Sequence, residues 1–168
     1  MNPLMYDASI SVFNRSLTAL SAILDKAAAH AAAKGFDPAI LLNDRLAPDM
    51  FTLTRQVQIA CDTAKGAGAR LAGLEVPKHE DSEATVAELK ARIAKTLAFV
   101  NGIPAAAFAG SEDRSVVLQM RKQTVEFAGR TYLFEHALPN LFFHVTTAYA
   151  ILRHNGVEIG KGDYLGPR

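Results

Sequence analysis

One histidine stands where an imidazole can do chemistry. His144 falls on an apolar stripe near the C-terminal end of the chain, with Asn140 four residues before it and His136 eight before. On an unbroken helix those three positions line one face. An imidazole there can bind a metal, act as a general acid or base, or simply be a hydrogen-bonded core group. The structural reading, with His144 paired to Asn140, Gln58 or Tyr149, takes precedence because buried polar groups are usually just satisfied. Pro139 interrupts the line between His136 and His144, which favours a solvated or capping His136 near a helix start.

A second polar set lies upstream. Arg55, Gln58 and Asp62 recur at steps of three and four beside an apolar stripe. Facing inward, they make a polar pocket opposite Asn140 and His144; facing outward, they are an ordinary solvated face, and both readings stand. Cys61 borders the same stripe. A lone cysteine with no adjacent base is usually a small buried hydrophobe. His30 and His79 read as surface residues. The sequence holds no phosphate-cradling glycine loop, nucleophile elbow or paired-cysteine metal motif.

Four stretches of helical periodicity must position these groups. The first runs through Ile10, Phe13, Leu17, Leu20, Leu24, Ala27 and Ala31, and Gly35 stops it. Asp37-Pro38 then starts a short connecting helix through Leu41 and Leu42. The second runs through Met50, Leu53, Val57, Ala60, Ala64, Ala67 and Leu71, with Asp49 as its expected cap. Its small residues, with Gly66 and Gly68 beside them, mark it as central. The third is Val86, Leu89, Ile93, Thr96 and Val100, capped by Asp81 or Ser82, with Lys90, Arg92 and Lys95 on a solvated face. The fourth is Phe134, Ala137, Leu141, His144, Ala148 and Ile151, kinked or restarted at Pro139 and ended at Asn155-Gly156.

Between the third and fourth, residues 115–127 lose the helical period and read as a β-hairpin around Arg121-Lys122-Gln123. The tail from Val157 to Arg168 is expected to be extended across the surface. The economical solution is an all-α four-helix bundle, one domain over residues 1–168, with a small hairpin between its third and fourth helices.

The 168 residues suffice for a proper core, and 49% are hydrophobic. Eighteen basic against seventeen acidic side chains leave a net charge of +1, so no electrostatic footprint for nucleic acid or an anionic membrane exists. No stretch approaches the length of a membrane span. One cysteine and no signal-peptide pattern at the N-terminus point to the cytoplasm.

The segments Leu46-Ala-Pro-Asp-Met-Phe51, Arg55-Gln-Val-Gln58, Leu138-Pro-Asn-Leu-Phe-Phe-His-Val-Thr-Thr-Ala-Tyr149 and the run on to Val157 resemble the DinB/YfiT-like superfamily of small bacterial bundles. Within it, the chain looks most like an uncharacterised family of similar length. The resemblance implies a divalent-metal site, often nickel or zinc, built from one histidine on the second helix and two at i and i+4 on the fourth. His144 matches the last of these, whereas Asn140 and, near Gln58, an amide stand at the other two. Amides are weak ligands for either metal. The expectation is therefore a non-catalytic module that binds a small ligand or self-associates, with a degenerate metal site and no cofactor. Its candidate pocket is Arg55, Gln58, Asp62, Asn140, His144 and Tyr149. Homodimers are common among the relatives, and the flat stretch Ala27–Ala33 would serve one. The alternative is a metal-dependent hydrolase or thiol transferase using His144 as ligand.

Overall fold

Val12–Lys34 (α2) contains neither glycine nor proline, and its stripe from Phe13 to Ala31 is entirely buried. Gly35 ends it with φ 72°, and the Gly35 and Phe36 amides return to the Ala32 and Ala31 carbonyls. Upstream, the same helix continues through a wide π turn, Asp7–Ser11, to a first short turn, Leu4–Tyr6 (α1). The computed structural model describes residues 2–120 and 122–166.

Ala39–Asn43 (α3) begins where the Asp37 carboxylate accepts the Ala39 amide at 2.8 Å. Leu53–Ala72 (α4) is capped by Thr52, not Asp49, and Val86–Asn101 (α5) by a Thr85–Glu88 capping box, not Asp81 or Ser82. Threonine supplies the same side-chain acceptor three or four residues nearer the helix, and Asp81 is engaged elsewhere. Leu138–His154 (α7) is the last long helix.

Helix α4 packs mainly against α5 and α7, and α2 packs against the same pair from the opposite side, with a smaller direct contact to α4. The second stripe is buried from Leu53 to Leu71, which makes α4 the most enclosed helix of the bundle. Gly68 brings it against Val100, Ile103 and Ile10.

Strands β1 (Ser115–Gln119) and β2 (Thr124–Ala128) pair antiparallel, with Val116 opposite Phe127. This is the expected hairpin; Arg121 in its turn lies outside the described residues. Val116, Phe127 and Leu118 seat it on the core. Gly129 then opens a helical turn, Gly129–Thr131 (α6), beside Ser111. A Cβ at Gly129 would stand 1.9 Å from the Ser111 carbonyl oxygen, so no other residue fits this crossing.

A second π turn, Tyr132–Ala137, joins α6 to α7. The α-helical spacing resumes at Leu138 with Pro139 in its first turn, so Pro139 marks a restart, one of the two outcomes its place in the pattern allowed. Its missing N–H falls just after the wide turn, whose longer spacing absorbs the lost bond. The extra width also slips the apolar stripe by one residue. Leu133 is buried and Phe134 is 43% exposed, whereas the sequence pattern put Phe134 in the core.

Two further expectations are corrected. Arg92 is not on a solvated face; it is 4% exposed, because residues 74–85 fold over it. The tail is not simply extended: Val157 and Ile159 are buried, and Lys161–Leu165 (α8) forms a short helix against α2, tied by Lys26 to Asp163 at 2.7 Å. No helix among the described residues is long and apolar enough to cross a membrane.

Candidate ligand site between two helices and the hairpin

His144 and Asn140 project from α7 toward α4. The Nδ1 of His144 lies 2.7 Å from Gln56 Oε1, and the Asn140 amide donates to Thr63 Oγ1 at 2.7 Å. The Gln56 amide nitrogen donates to the Phe51 carbonyl, which leaves its oxygen to accept. Nδ1 therefore carries the imidazole proton. Burial, with the Arg55 charge adding to it, pulls the His144 pKa down to about 4. The ring is thus neutral near pH 7 and a weak base. As α7 advances from 140 to 144, its partners on α4 retreat from 63 to 56, so the two helices run antiparallel.

The expected partner Gln58 points elsewhere. Residues two apart on a helix differ by roughly 200° in direction, so Gln56 and Gln58 cannot share a face. The Gln58 amide donates to Glu83 at 2.9 Å and its oxygen accepts from Arg55 at 3.1 Å. Arg55 also pairs with Asp81. Asp62 accepts from Lys65 and from Arg92, both at 2.9 Å. Arg92 further reaches Glu83 and Asp81, each at 3.0 Å. The stripe Arg55–Gln58–Asp62 therefore faces α5 and the 74–85 segment, in a network centred on buried Arg92. Burial would raise the Glu83 carboxyl, but hydrogen bonds from Arg92 and Gln58 outweigh it and hold its pKa below the ordinary glutamate value. Tyr149 lies apart from both groups, its hydroxyl 3.4 Å from the Ile159 carbonyl and its ring against Tyr164.

Two of the expected pocket residues, Asp62 and Asn140, do line one cavity. It occupies about 520 Å³ between α4, the π turn before α7, and β1. Its other polar walls are Thr63, Arg70, Gln119, Tyr132 and His136, and its apolar wall is Val117, Leu118 and Met120 of the hairpin. The Arg70 guanidinium reaches the Tyr132 hydroxyl at 3.3 Å. His136 is not solvated at a helix start: its ring stacks on Tyr132 at 5.9 Å and against Phe127 at 5.7 Å. Sequence reasoning missed Arg70 and Tyr132. The one available signal was Asp62-x-x-x-Gly66-x-x-x-Arg70, a polar line on one face of α4 at steps of four.

Cys61 is fully buried, and burial pushes its thiol up to about 12. It is a core residue without nucleophilic character at neutral pH. His79 is half-buried, with Nδ1 enclosed and lacking a hydrogen-bond partner, so it is not a plain surface residue.

The metal that the superfamily resemblance implies does not fit these residues. Of the three matching positions, the Asn140 amide is bonded to Thr63, and Gln58 faces the opposite side of α4. His144 alone offers a good donor, its Nε2. Among the described residues, no three His, Cys, Asp or Glu side chains converge on one point. A single imidazole is far short of the donor set nickel or zinc needs.

Four long helices, a hairpin inserted before the last, and a polar α4–α7 seam define a DinB-like helical bundle. The chain belongs to the family described as Domain of unknown function (DUF1993), whose model matches residues 5–165. It is similar to a solved structure, a DinB family member protein from Shewanella denitrificans, at 51% identity. That similarity covers 98% of this chain and 93% of that chain, with a TM-score of 0.93. No curated protein gives a match.

Proposed function

We propose that this protein is a non-catalytic, cytoplasmic bundle that binds a small molecule in the cavity between α4, the π turn and the hairpin. One observation carries the reading. A cavity of about 520 Å³, within the usual range for small-molecule sites, opens beside a seam whose polar groups are already bonded to one another. A catalyst needs an activated base, nucleophile or metal. His144 is held neutral and weakly basic, and the Cys61 thiol is held protonated. Self-association belongs to the same reading, through Ala29, Ala32 and Ala33, which are the exposed members of the alanine-rich stretch; Ala27 and Ala31 face the core.

Metal analysis of the purified protein, repeated on His144→Ala, tests the non-catalytic half of the reading. The expected result is well under one nickel or zinc per chain in both proteins after equilibration with the metal and desalting. One tightly held metal per chain, lost in the variant, would overturn the reading in favour of a metal-dependent hydrolase or transferase.

A further inference from the structure

Among the described residues, Arg70 is a cation without a counter-ion. It sits in the last turn of α4, half-buried, and among the described residues no carboxylate lies within ion-pair distance of it. Asp62, on the same face two turns earlier, is held by Lys65 and Arg92. Among the described residues, the Tyr132 hydroxyl is the one side-chain partner of the guanidinium, at a long 3.3 Å. A guanidinium has five N–H donors, so that bond leaves most of its hydrogen-bonding capacity to groups from outside the described chain.

The helix surface is shaped to keep that guanidinium in the cavity. Gly66 stands one turn before Arg70, and the Arg70 side chain folds back over it. A Cβ at position 66 would stand 2.4 Å from the Arg70 terminal nitrogen. Any side chain there displaces the cation. Around it, neutral groups converge: the Thr63 hydroxyl, the Asn140 carboxamide and the Tyr132 hydroxyl. Opposite stand apolar atoms of the hairpin, with Val117 51% and Met120 38% exposed.

We propose that this cavity is a site for a small monocarboxylate carrying an aromatic or apolar body. The inference rests on the ligand-binding reading above and names the class of ligand. The guanidinium fork matches a carboxylate in two parallel hydrogen bonds. The one guanidinium in the cavity, surrounded by neutral hydrogen-bonding groups, matches a single negative charge better than a dianion such as phosphate. The half-buried His136 ring, with Val117 and Met120, takes the apolar body, while Tyr132, itself in the core, offers only its hydroxyl.

Titration of the full-length protein, followed by amide NMR, with benzoate, benzamide and inorganic phosphate tests this. Benzoate is expected to saturate, shifting the amides of Gly66, Tyr132 and Asn140, and benzamide to bind at least tenfold more weakly. Arg70→Gln and Gly66→Ala are each expected to weaken benzoate at least tenfold without lowering the melting temperature, which the alanine, a better helix former than glycine, should if anything raise. Gly66→Ala retains the charge and removes only its placement. Benzamide binding as tightly as benzoate, indifferent to Arg70→Gln, would overturn the carboxylate class while leaving a neutral-ligand pocket in place. Phosphate outbinding benzoate would overturn it in favour of a dianion. No shift at the cavity with any of the three probes would sink both this inference and the ligand-binding reading.

Discussion

Helix α4 carries two polar faces that solve the burial problem differently. Toward α5 and residues 74–85 it presents charge: Arg55, Asp62 and Lys65 mesh with Arg92, Asp81 and Glu83. Toward α7 it presents neutral groups, Gln56 and Thr63, each in one short bond to His144 or Asn140. The charged face leaves little free. Arg92 alone holds three carboxylates and the Glu80 carbonyl, and so fastens a segment without regular structure to the bundle. The neutral face holds its helices together and stops at the edge of an open cavity. Strong charges that hold one another build an anchor, although Arg92 Nε stays buried without a partner; weaker neutral pairs leave room for a partner from outside.

The largest effect should come from the anchor. Arg92→Leu removes the cation and leaves Glu83, 11% exposed by its side chain, without its main partner. Breaking a buried ion pair on one side costs about 3 kcal/mol or more. Asp62 and Asp81 are each about two-fifths exposed and can turn to water, which keeps the loss near the lower figure. Urea denaturation should show that drop, with faster proteolysis within residues 74–85. An Arg92→Leu protein as stable as the parent would mean the charged face is merely solvated, as its sequence pattern suggested.

That misreading has a physical origin. The four apolar stripes were legible because each is a property of one helix, and nearly every residue on them is buried. Arg92 lies off its stripe, and only a segment folding back over α5 encloses it; no periodicity within α5 reports that. Phe134 and Leu133 exchanged places because a π turn widens the period locally. The α4–α7 site was half legible. Asn140 and His144 were placed on the right seam, but their α4 partners are Thr63 and Gln56. The quoted motif Arg55-Gln-Val-Gln58 contains both amides, and only their opposite directions on the helix separate them. The cavity itself was out of reach, since its hairpin wall meets Arg70 and Tyr132 only in the folded chain.

The next effect belongs to the neutral face and is one of pH. His144 ionises near 6.5 when unfolded and near 4 when folded. Between those values the unfolded chain binds the extra proton, so stability falls as pH drops through this window and levels off from this group below it. The accumulated loss is on the order of 3 kcal/mol. His79, also held below its ordinary value by burial and by Lys65, adds its own slope. His144→Gln should remove the His144 share and leave the rest. Glu83 behaves in the opposite range: its depressed pKa confers stability above about pH 4.5 that is lost as pH falls lower. Unfolding free energies at pH 7, 5 and 3.5 separate the two faces. An unchanged slope between pH 6.5 and 4.5 in His144→Gln would place the imidazole in water.

The smallest effect makes the finest test of the contrast. Asn140 and Thr63 form a neutral, partly buried hydrogen bond at 2.7 Å on the cavity wall. Such a bond contributes about 1 kcal/mol net, since both groups can turn to water when it is broken. Asn140→Ala and Thr63→Val should each destabilise by that order, and the double variant by little more than either alone. The coupling from that cycle, about 0.5–1 kcal/mol, should be clearly smaller than the coupling of Arg92→Leu with Glu83→Gln measured the same way. Two equal couplings would erase the distinction between an anchoring face and a receiving one. A near-zero coupling at Asn140–Thr63, with both singles neutral, would mean that these side chains already face the cavity as free donors, ready to be drawn onto a ligand at no cost to the fold.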